Sequence, residues 1–386
     1  MEALTLLDII GSGENSRVQF KKIIKSSDDI AKEMAAMSNS IGGMIVIGVE
    51  DKTGQIIGLN YEEIKRSNDF LANASTNNVK PPIYILTEIV PIEDKKVLIA
   101  HINEGSNKPY CDNNGIVWVK SGSDKRRVTD NIEYARLLQS SGLISADEIV
   151  IAGTSLDDFD LERFKKFFEA NYEQKIEDTS LSITQLLHNL NLMKDQQLNL
   201  AGLLLFGKEP QRYKPAFLIR AVSFFGNDIE GQDYRDSRDI VGDLEKLYHQ
   251  GLEFLLNNLH YIQQGRNFNT LGILEISKIA LEEILQNALI HRDYFKNAPI
   301  RILILDNRVE IISPGKLPNN LTIENIKYGN VVIRNNLIAS FGTKMLPYRG
   351  LGTGIKRAMK EQPDIEFIND VSGEQFISII PRPTQN

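Results

Sequence analysis

The sequence has a single cysteine, Cys111, among its 386 residues, and it has no long apolar segment. One cysteine excludes a disulfide within the chain and fits a reducing compartment, where this residue serves more often as a small buried hydrophobe than as a nucleophile. No uninterrupted apolar run approaches the roughly 20 residues that span a bilayer, and the N-terminus lacks the basic stretch of a secretion signal. We therefore expect a cytoplasmic protein without a membrane partner.

The sequence also lacks an excess of positive charge. It has 44 lysines and arginines against 51 aspartates and glutamates, which gives a net charge of −7. Any contact with nucleic acid therefore has to be local. A Walker P-loop of the form G-x-x-x-x-G-K-[ST] is absent, which argues against a motor helicase. The length exceeds the usual size of one hydrophobic core and predicts two or three domains.

The segment over residues 1–142 combines helix and strand patterns. A helix is predicted to begin at Ser27, with Asp28 and Asp29 in its first turn, where carboxylates suit the helix dipole. The apolar run MIVIGV and the run QIIGL are predicted to pair as a hairpin, and IYILTEIV, KVLIAHI and IVWVK read as further strands. The pattern predicts an α+β domain.

Residues 143–260 are richer in helix patterns. Helices are predicted over 155–171, 182–193 and 239–259, and the runs LNLAGLLLFG and FLIRAVSFFG are predicted to be buried strands. The sequence gives this segment no chemical role. We interpret it as a scaffold whose strands join the C-terminal part of the chain, residues 261–386.

The most informative stretch is LEEILQNALIHRDY, residues 281–294. Glu283, Asn287 and His291 are four residues apart, so on a helix they form one polar row in which a carboxylate and an amide could share a metal ion and a water. His291 and Asp293 are better explained by ending the helix and pairing charges locally. The row flanks an apolar face that is predicted to be buried and consists of Ile276, Ile279, Ala280, Ile284, Leu285, Ala288 and Leu289.

Four strings in a fixed order carry a resemblance to a known family. QNALIHRDY, RVEIISPGKLP, RNNLIASFG and GLGTGIKRA together resemble the ATP-binding module of RecG-like and transcriptional-regulator proteins. That module is a branch of the GHKL fold of gyrase, heat-shock chaperones and histidine kinases. The resemblance implies that residues 261–386 form a Bergerat-type α/β sandwich that binds ATP and Mg²⁺.

The resemblance also implies roles for single residues. Glu283 matches the carboxylate that activates water in ATP-hydrolysing members, and Asn287 matches the amide that holds Mg²⁺, an ion that needs few protein oxygens beside the phosphates. Hydrolysis, as a weak Mg-dependent ATPase, and sensing of ATP without turnover both stay open. The glycine-rich loop that closes over the phosphates corresponds to Gly350, Gly352 and Gly354, with Lys356 and Arg357 near enough in sequence to assist.

The base-reading position departs from the pattern of the family. Ser313 and Gly315 stand where many members have an Asp-x-Gly box whose aspartate reads the adenine amino group. The acid is missing here, so base recognition would fall to a backbone group, a water, or the nearby Asp306. A degenerate module that binds nothing stays open as an alternative.

The N-terminal strings GENSRVQFKK and AAMSNSIGGMIVIGVEDKTGQIIGL resemble the Schlafen AlbA-like (divergent AAA) domain. Nuclease members of that group gather three carboxylates around metal. Glu14 and Asp51 match two of these positions and Gln19 the third, so a two-metal site is weakened and nuclease activity is doubtful. The resemblance implies nucleic-acid binding, with DNA favoured over RNA. The phosphate-contacting residues would be Lys21, Lys22, Lys25, Lys120, Lys125, Arg126 and Arg127.

The two resemblances predict a regulator of the transcriptional or defence type, in which the nucleotide state controls nucleic-acid binding. One alternative is a metal-dependent nuclease of Schlafen type that uses Glu14 and Asp51. Another is a non-catalytic scaffold that assembles into a homo-oligomer. The sequence does not decide among them.

Overall fold

The computed structural model describes residues 1–51, 53–230, 233–262, 272–318 and 321–383. The chain divides into two compact units, Met1–Ile144 and Ser145–Asn386. Each unit contains helices together with mixed sheets, so the predicted α+β class is confirmed. Among the described residues, no helix has both the length and the apolar character needed to cross a membrane.

The N-terminal unit is built on a four-stranded sheet whose strand order is β1-β2-β4-β3. Its faces are covered by separate apolar clusters, which draw on α2 and α3 for one face and on α1 for the other. The elements are α1 (Ala3–Gly11), β1 (Val18–Lys21), α2 (Ser27–Asn39), β2 (Gly43–Ile47), α3 (Tyr61–Asn73), β3 (Ile85–Ile92), β4 (Lys95–Ile102), β5 (Trp118–Ser121), β6 (Asp124–Arg127) and α4 (Asn131–Ser140).

Helix α2 forms where the sequence predicts it, and the Ser26 side chain caps it by accepting a hydrogen bond from the backbone N–H of Asp29. The hairpin predicted after β2 is wrong. Strand β2 pairs in parallel with β1 and antiparallel with β4, so both of its edges are already used. The run QIIGL makes only an isolated bridge, between Ile56 and Val49.

The C-terminal unit has a six-stranded sheet with the order β10-β9-β13-β14-β16-β15. Its elements are α5 (Leu161–Tyr172), α6 (Ile183–Asn189), β7 (Met193–Lys194), β8 (Gln197–Leu198), α7 (Leu200–Phe206), α8 (Pro210–Tyr213), β9 (Ile219–Phe224), β10 (Tyr234–Ile240), α9 (Leu244–Asn257), β11 (Tyr261–Ile262), β12 (Ile273–Leu274), α10 (Lys278–His291), β13 (Ile300–Ile304), β14 (Arg308–Pro314), α11 (Ile323–Lys327), α12 (Asn336–Met345), α13 (Gly354–Glu361), β15 (Glu366–Asp370) and β16 (Gln375–Pro381).

Strand β9 pairs in parallel with β13, and the other neighbouring strands of this sheet are antiparallel. One hydrophobic core runs from Ala146 to Ile380 and includes the buried faces of α9 and α10. The segment over residues 145–260 therefore supplies both strands and core to the same compact unit as the C-terminal strings.

Two sequence predictions in this unit are wrong. The run LNLAGLLLFG forms helix α7, not a strand, because the Asn199 side chain accepts from the N–H of Gly202 and opens a helix. All residues of α7 are buried, so the apolar run has no alternation of apolar and polar positions that could distinguish a helix from a strand. In α10, Ile279 was placed on the buried face, but it is 46% exposed, whereas the other residues predicted for that face are buried.

Candidate functional site

A large cavity lies against α10 in the C-terminal unit and contains about 980 Å³ of empty space, counted out to the solvent. Its walls are partly apolar, with contributions from Ile284, Ile311, Leu321 and Phe376. The cavity brings together residues that are distant in the sequence. The predicted site residues that line it are Glu283, Asn287, Ser313, Gly315, Gly350, Gly352 and Gly354.

Glu283 lies at this cavity as a buried carboxylate with two side-chain partners. Its Oε1 is 2.5 Å from Nη2 of Arg357 in an ion pair, and its Oε2 accepts a hydrogen bond of 2.7 Å from Nε2 of Gln286. Burial raises the pKa of Glu283, and the positive charge of Arg357 opposes that shift. In the ligand-free chain this carboxylate is therefore held by an arginine.

Asn287 is positioned by its own helix. Its Nδ2 donates a hydrogen bond of 2.7 Å to the backbone carbonyl of Glu283, so its side-chain oxygen is the atom that remains for a ligand. The start of α13 packs closely on the same two residues. A Cβ at Gly354 would lie 2.5 Å from Oε2 of Glu283 and 3.2 Å from Nδ2 of Asn287, so a larger residue there would have to displace the Glu283 carboxylate.

The glycine-rich loop before α13 adopts a backbone that glycine permits. Gly350 and Gly352 have φ angles of +67° and +69°. A Cβ at Gly352 would lie 2.2 Å from the carbonyl oxygen of Gly329, so this glycine also allows two loops to touch. The loop leads directly into α13, whose first backbone N–H groups and helix dipole favour an anion.

The segment in the position of the Asp-x-Gly box is held by hydrogen bonds to backbone carbonyls. Ser313 is buried, and its hydroxyl donates to the carbonyl of Ala288 at 3.1 Å. Gly315 has a φ of +102°, and its N–H donates to the carbonyl of Glu374. Asp306 does not line the cavity, since it lies in the β13–β14 turn and pairs with Arg235 at 2.6 Å. It is therefore not placed to read a base in this cavity.

The cavity has more positive charge than the sequence predicts for it. Lys316, Arg334, Arg349 and Arg357 line it, and Glu283 is the one acidic residue among the described residues that do so. Of the two residues predicted to assist at the phosphates, Lys356 is exposed and does not line the cavity, whereas Arg357 does. Arg334 begins the string RNNLIASFG and Arg349 directly precedes Gly350, and these positions in the sequence were the available signal.

His291 is the last residue of α10, which agrees with the prediction that the HRDY string ends the helix. Its Nε2 lies 3.1 Å from the hydroxyl of Tyr348. Burial and the positive charge of Arg334 lower the pKa of His291 to about 4, so the imidazole is neutral at pH 7. Asp293 and Arg334 lie 3.9 Å apart.

Two residues of the predicted nuclease remnant, Glu14 and Gln19, lie in one polar network in the N-terminal unit. Glu14 accepts hydrogen bonds from the side chain of Gln19 and from the backbone N–H of Phe20. Gln19 in turn accepts one of 2.9 Å from Nζ of Lys120. The Lys120 side chain is 1% exposed and lies 3.7 Å from the buried carboxylate of Glu33, and burial lowers its pKa. The structure thus does not place Lys120 on an open phosphate-binding surface.

The other predicted nucleic-acid residues are mostly engaged in local pairs. Lys21 pairs with Asp51 at 2.7 Å, Lys22 with Glu50 and Lys125 with Glu33. Within the described part of the chain, no group of three or more His, Cys, Asp or Glu side chains is arranged to hold a metal ion.

Three of the predicted basic residues remain at or near the surface of the N-terminal unit. Arg126 makes a two-pronged pair with Glu133, and the guanidinium of Arg127 lies 5.3 Å from the ring centroid of Trp118. Lys25 is exposed. The only cysteine, Cys111, is partly buried against a small apolar cluster, and burial raises the pKa of its thiol.

Comparisons with protein families match three segments of the chain. Residues 14–129 match the family described as "Schlafen, AlbA_2", and residues 297–370 match the one described as "Putative ATP-dependent DNA helicase recG C-terminal". The chain carries a Schlafen AlbA_2 domain and a recG C-terminal-like domain. Residues 135–219, between them, match a domain of unknown function.

One individual protein is similar to part of this chain. A protein of Ureaplasma parvum named as an uncharacterized ATP-binding protein is 38% identical over 141 residues, which are 32% of this chain and 38% of that protein. The chain thus spans well under half of this curated relative.

Two solved structures are similar at low identity. The DIP2311 protein of Corynebacterium diphtheriae has a TM-score of 0.47 at 20% identity, and the match covers 98% of this chain and 80% of that protein's chain. The N-terminal domain of a RecG-related protein from Nitrosomonas europaea has a TM-score of 0.26 at 19% identity, and the match covers 34% of this chain and 96% of that domain.

Proposed function

We propose that this chain binds Mg-ATP in the cavity beside α10 and binds nucleic acid through its N-terminal unit, with the nucleotide state controlling nucleic-acid binding. Such a protein would act as a regulator of the transcriptional or defence type. The observation that carries the proposal is the cavity. It joins an apolar wall, a glycine loop that opens a helix and four cationic side chains, with a single carboxylate among its lining residues.

The residues of the cavity fit a nucleoside triphosphate. Ile284, Ile311 and Phe376 offer an apolar surface to a base, and guanidinium groups are suited to phosphate oxygens. Asn287 would hold Mg²⁺ through its side-chain oxygen, and the ion would neutralise phosphate charge.

The comparisons support the same assignment. The similar Ureaplasma protein is named as ATP-binding, and the C-terminal match is to a domain described with an ATP-dependent protein. GHKL membership, the requirement for Mg²⁺ and the regulatory role are parts of the proposal.

ATP binding can be tested by isothermal titration with a non-hydrolysable ATP analogue, with and without Mg²⁺. We expect Asn287→Ala to reduce the Mg-dependent affinity by roughly tenfold, because one charge-assisted contact is removed. Asn171→Ala is the matched control, since Asn171 donates to the carbonyl four residues earlier in α5, as Asn287 does in α10. Equal losses in both variants, or no binding by the wild type, would contradict the proposal.

Nucleic-acid binding would be mainly to phosphates, since the predicted contacts are lysines and arginines. Lys25 is the best test residue because it is exposed, whereas Lys120 is buried. We expect Lys25→Met to reduce the slope of log affinity against log salt by about 1, measured by fluorescence anisotropy with short DNA and RNA duplexes. The exposed Lys175 gives a matched control, Lys175→Met.

Control by the nucleotide requires a measured coupling between the two ligands. We expect the ATP analogue to change nucleic-acid affinity by roughly fivefold or more. The same factor should appear in the affinity for the analogue when nucleic acid is present, because binding coupling is reciprocal. A factor of one in both titrations would remove the regulatory part of the proposal.

A further inference from the structure

We propose that Arg357 is a two-position side chain: it pairs with Glu283 in the ligand-free chain and turns to the polyphosphate when a nucleotide binds, which releases Glu283. This inference rests on the proposed function and adds to it the regulation of the same site. The side chain would then report whether a polyphosphate is present.

The first argument is position. Arg357 lies on the first turns of α13, directly after the glycine loop, and it lines the nucleotide cavity itself. It also lines a second cavity, together with Glu283, Tyr348 and Arg349. The Glu283–Arg357 pair therefore borders open space, into which the arginine can turn by side-chain rotation.

The second argument is an unused donor. The Nε atom of Arg357 is buried and has no hydrogen-bond partner among the described residues. A buried N–H without a partner is costly, and it gains most from a new acceptor. The Arg357 side chain as a whole is 31% exposed, so it is not locked in place by packing. The contact with Glu283 thus satisfies only part of the guanidinium.

The third argument is competition. Glu283 offers one carboxylate to Arg357 and also accepts from Gln286, so it keeps a hydrogen-bond partner when the arginine leaves. A triphosphate carries more negative charge than a carboxylate and can accept two parallel N–H bonds from the guanidinium. The same guanidinium therefore cannot pair fully with both the Glu283 carboxylate and a triphosphate.

The critical test replaces the competitor and not the arginine. In Glu283→Gln the shape and the Gln286 contact are kept, but the charge that holds Arg357 is gone. We expect a non-hydrolysable ATP analogue, with or without Mg²⁺, to bind to Glu283→Gln roughly tenfold more tightly than to the wild type. AMP, which lacks the polyphosphate, should bind equally to both. In the Arg357→Met background the glutamine substitution should give no gain.

The outcomes separate the two proposals. If the wild type does not bind the analogue, the proposed function fails and the switch fails with it. If the wild type binds, but Glu283→Gln binds equally or more weakly, the switch alone is overturned and the cavity remains a nucleotide site. If the gain appears with AMP as well, the effect is not on the polyphosphate and the switch is again overturned.

Discussion

Both units hold a glutamate against a cationic side chain, but the two pairs have different surroundings. In the N-terminal unit, Lys120 is 1% exposed and lies between Glu33 and Gln19 in a closed network. In the C-terminal unit, Arg357 pairs with Glu283 at the wall of a large cavity. Both pairs join a glutamate to a cationic side chain, but only the Glu283–Arg357 pair lies at the wall of that cavity.

The difference concerns what a buried charge can do. A closed pair can only stabilise or destabilise the fold, because no ligand reaches it and water is excluded. A pair at a cavity can exchange one partner for a ligand, because the cost of leaving a charge unpaired is then offset by the new contact. We therefore interpret the Lys120 pair as structural, and we propose that the Glu283 pair is functional.

The largest effect is expected where the closed network is broken. Lys120→Met leaves Glu33 with fewer positive partners and removes a donor from Gln19, and we expect a loss of about 4 kcal/mol in the free energy of unfolding. Arg357→Met should cost about half of that, because water in the cavity can reach Glu283. Urea unfolding of both variants checks this order, and equal losses would remove the contrast between the units.

The glycine loop provides the next largest effect. Gly352→Ala places a Cβ 2.2 Å from the carbonyl oxygen of Gly329 at a positive φ, so we expect a stability loss of about 3 kcal/mol together with weaker nucleotide binding. Gly350→Ala is the matched control. Its φ is also positive, but the nearest atom is a methyl carbon of Thr343 at 3.3 Å, so the loss should be about 1 kcal/mol. Similar thermal midpoints for the two variants would argue against the loop contact.

A pH effect on stability is expected from His291 at the cavity. The pKa of His291 falls from 6.5 to about 4 on folding, so between these values the unfolded chain binds more protons than the folded chain. Stability should therefore fall as the pH decreases from about 6.5 to 4, by up to roughly 3 kcal/mol from this residue. His291→Gln should remove that part of the loss, and His249→Gln, at an exposed histidine, should not.

The smallest effect is expected for an exposed pair. Arg126 and Glu133 form a two-pronged contact on the surface of the N-terminal unit. Arg126→Ala should change the free energy of unfolding by about 0.5 kcal/mol, because exposed pairs are screened and mobile. A loss as large as that of Lys120→Met would show that exposure does not separate these contacts.

Sequence patterns anticipated the elements that have clear local signals. Strands β3, β4, β5 and β9 and the capped helix α2 form close to where the sequence predicts them, because short apolar runs and a cap residue are local features. Helix α7 was predicted as a strand because its seven residues are uniformly buried and apolar. The hairpin predicted after β2 does not form because long-range pairing with β4 decides that edge.

The site was anticipated through residues whose spacing or glycine content is visible in the sequence. Glu283, Asn287 and the glycine loop do line one cavity, although the roles given to them stay predictions. The carboxylate partners of the cationic residues were not visible, because a lysine or arginine in a sequence gives no sign of whether it is buried or paired. Lys120 and Arg357 were both predicted to assist at phosphates, and only the folded chain shows which carboxylate each one meets.

The parallel pairing of β9 with β13 limits how this protein can be divided. A chain begun at residue 261 would keep the cavity residues but lose β9 and β10, and it would leave the full length of β13 as a bare edge of Ile300, Ile302 and Ile304. Such an edge recruits other strands, so the shortened chain should precipitate or pair with itself. For protein engineering, the smallest transferable form of the proposed nucleotide module therefore begins well before residue 261 and includes β9 and β10.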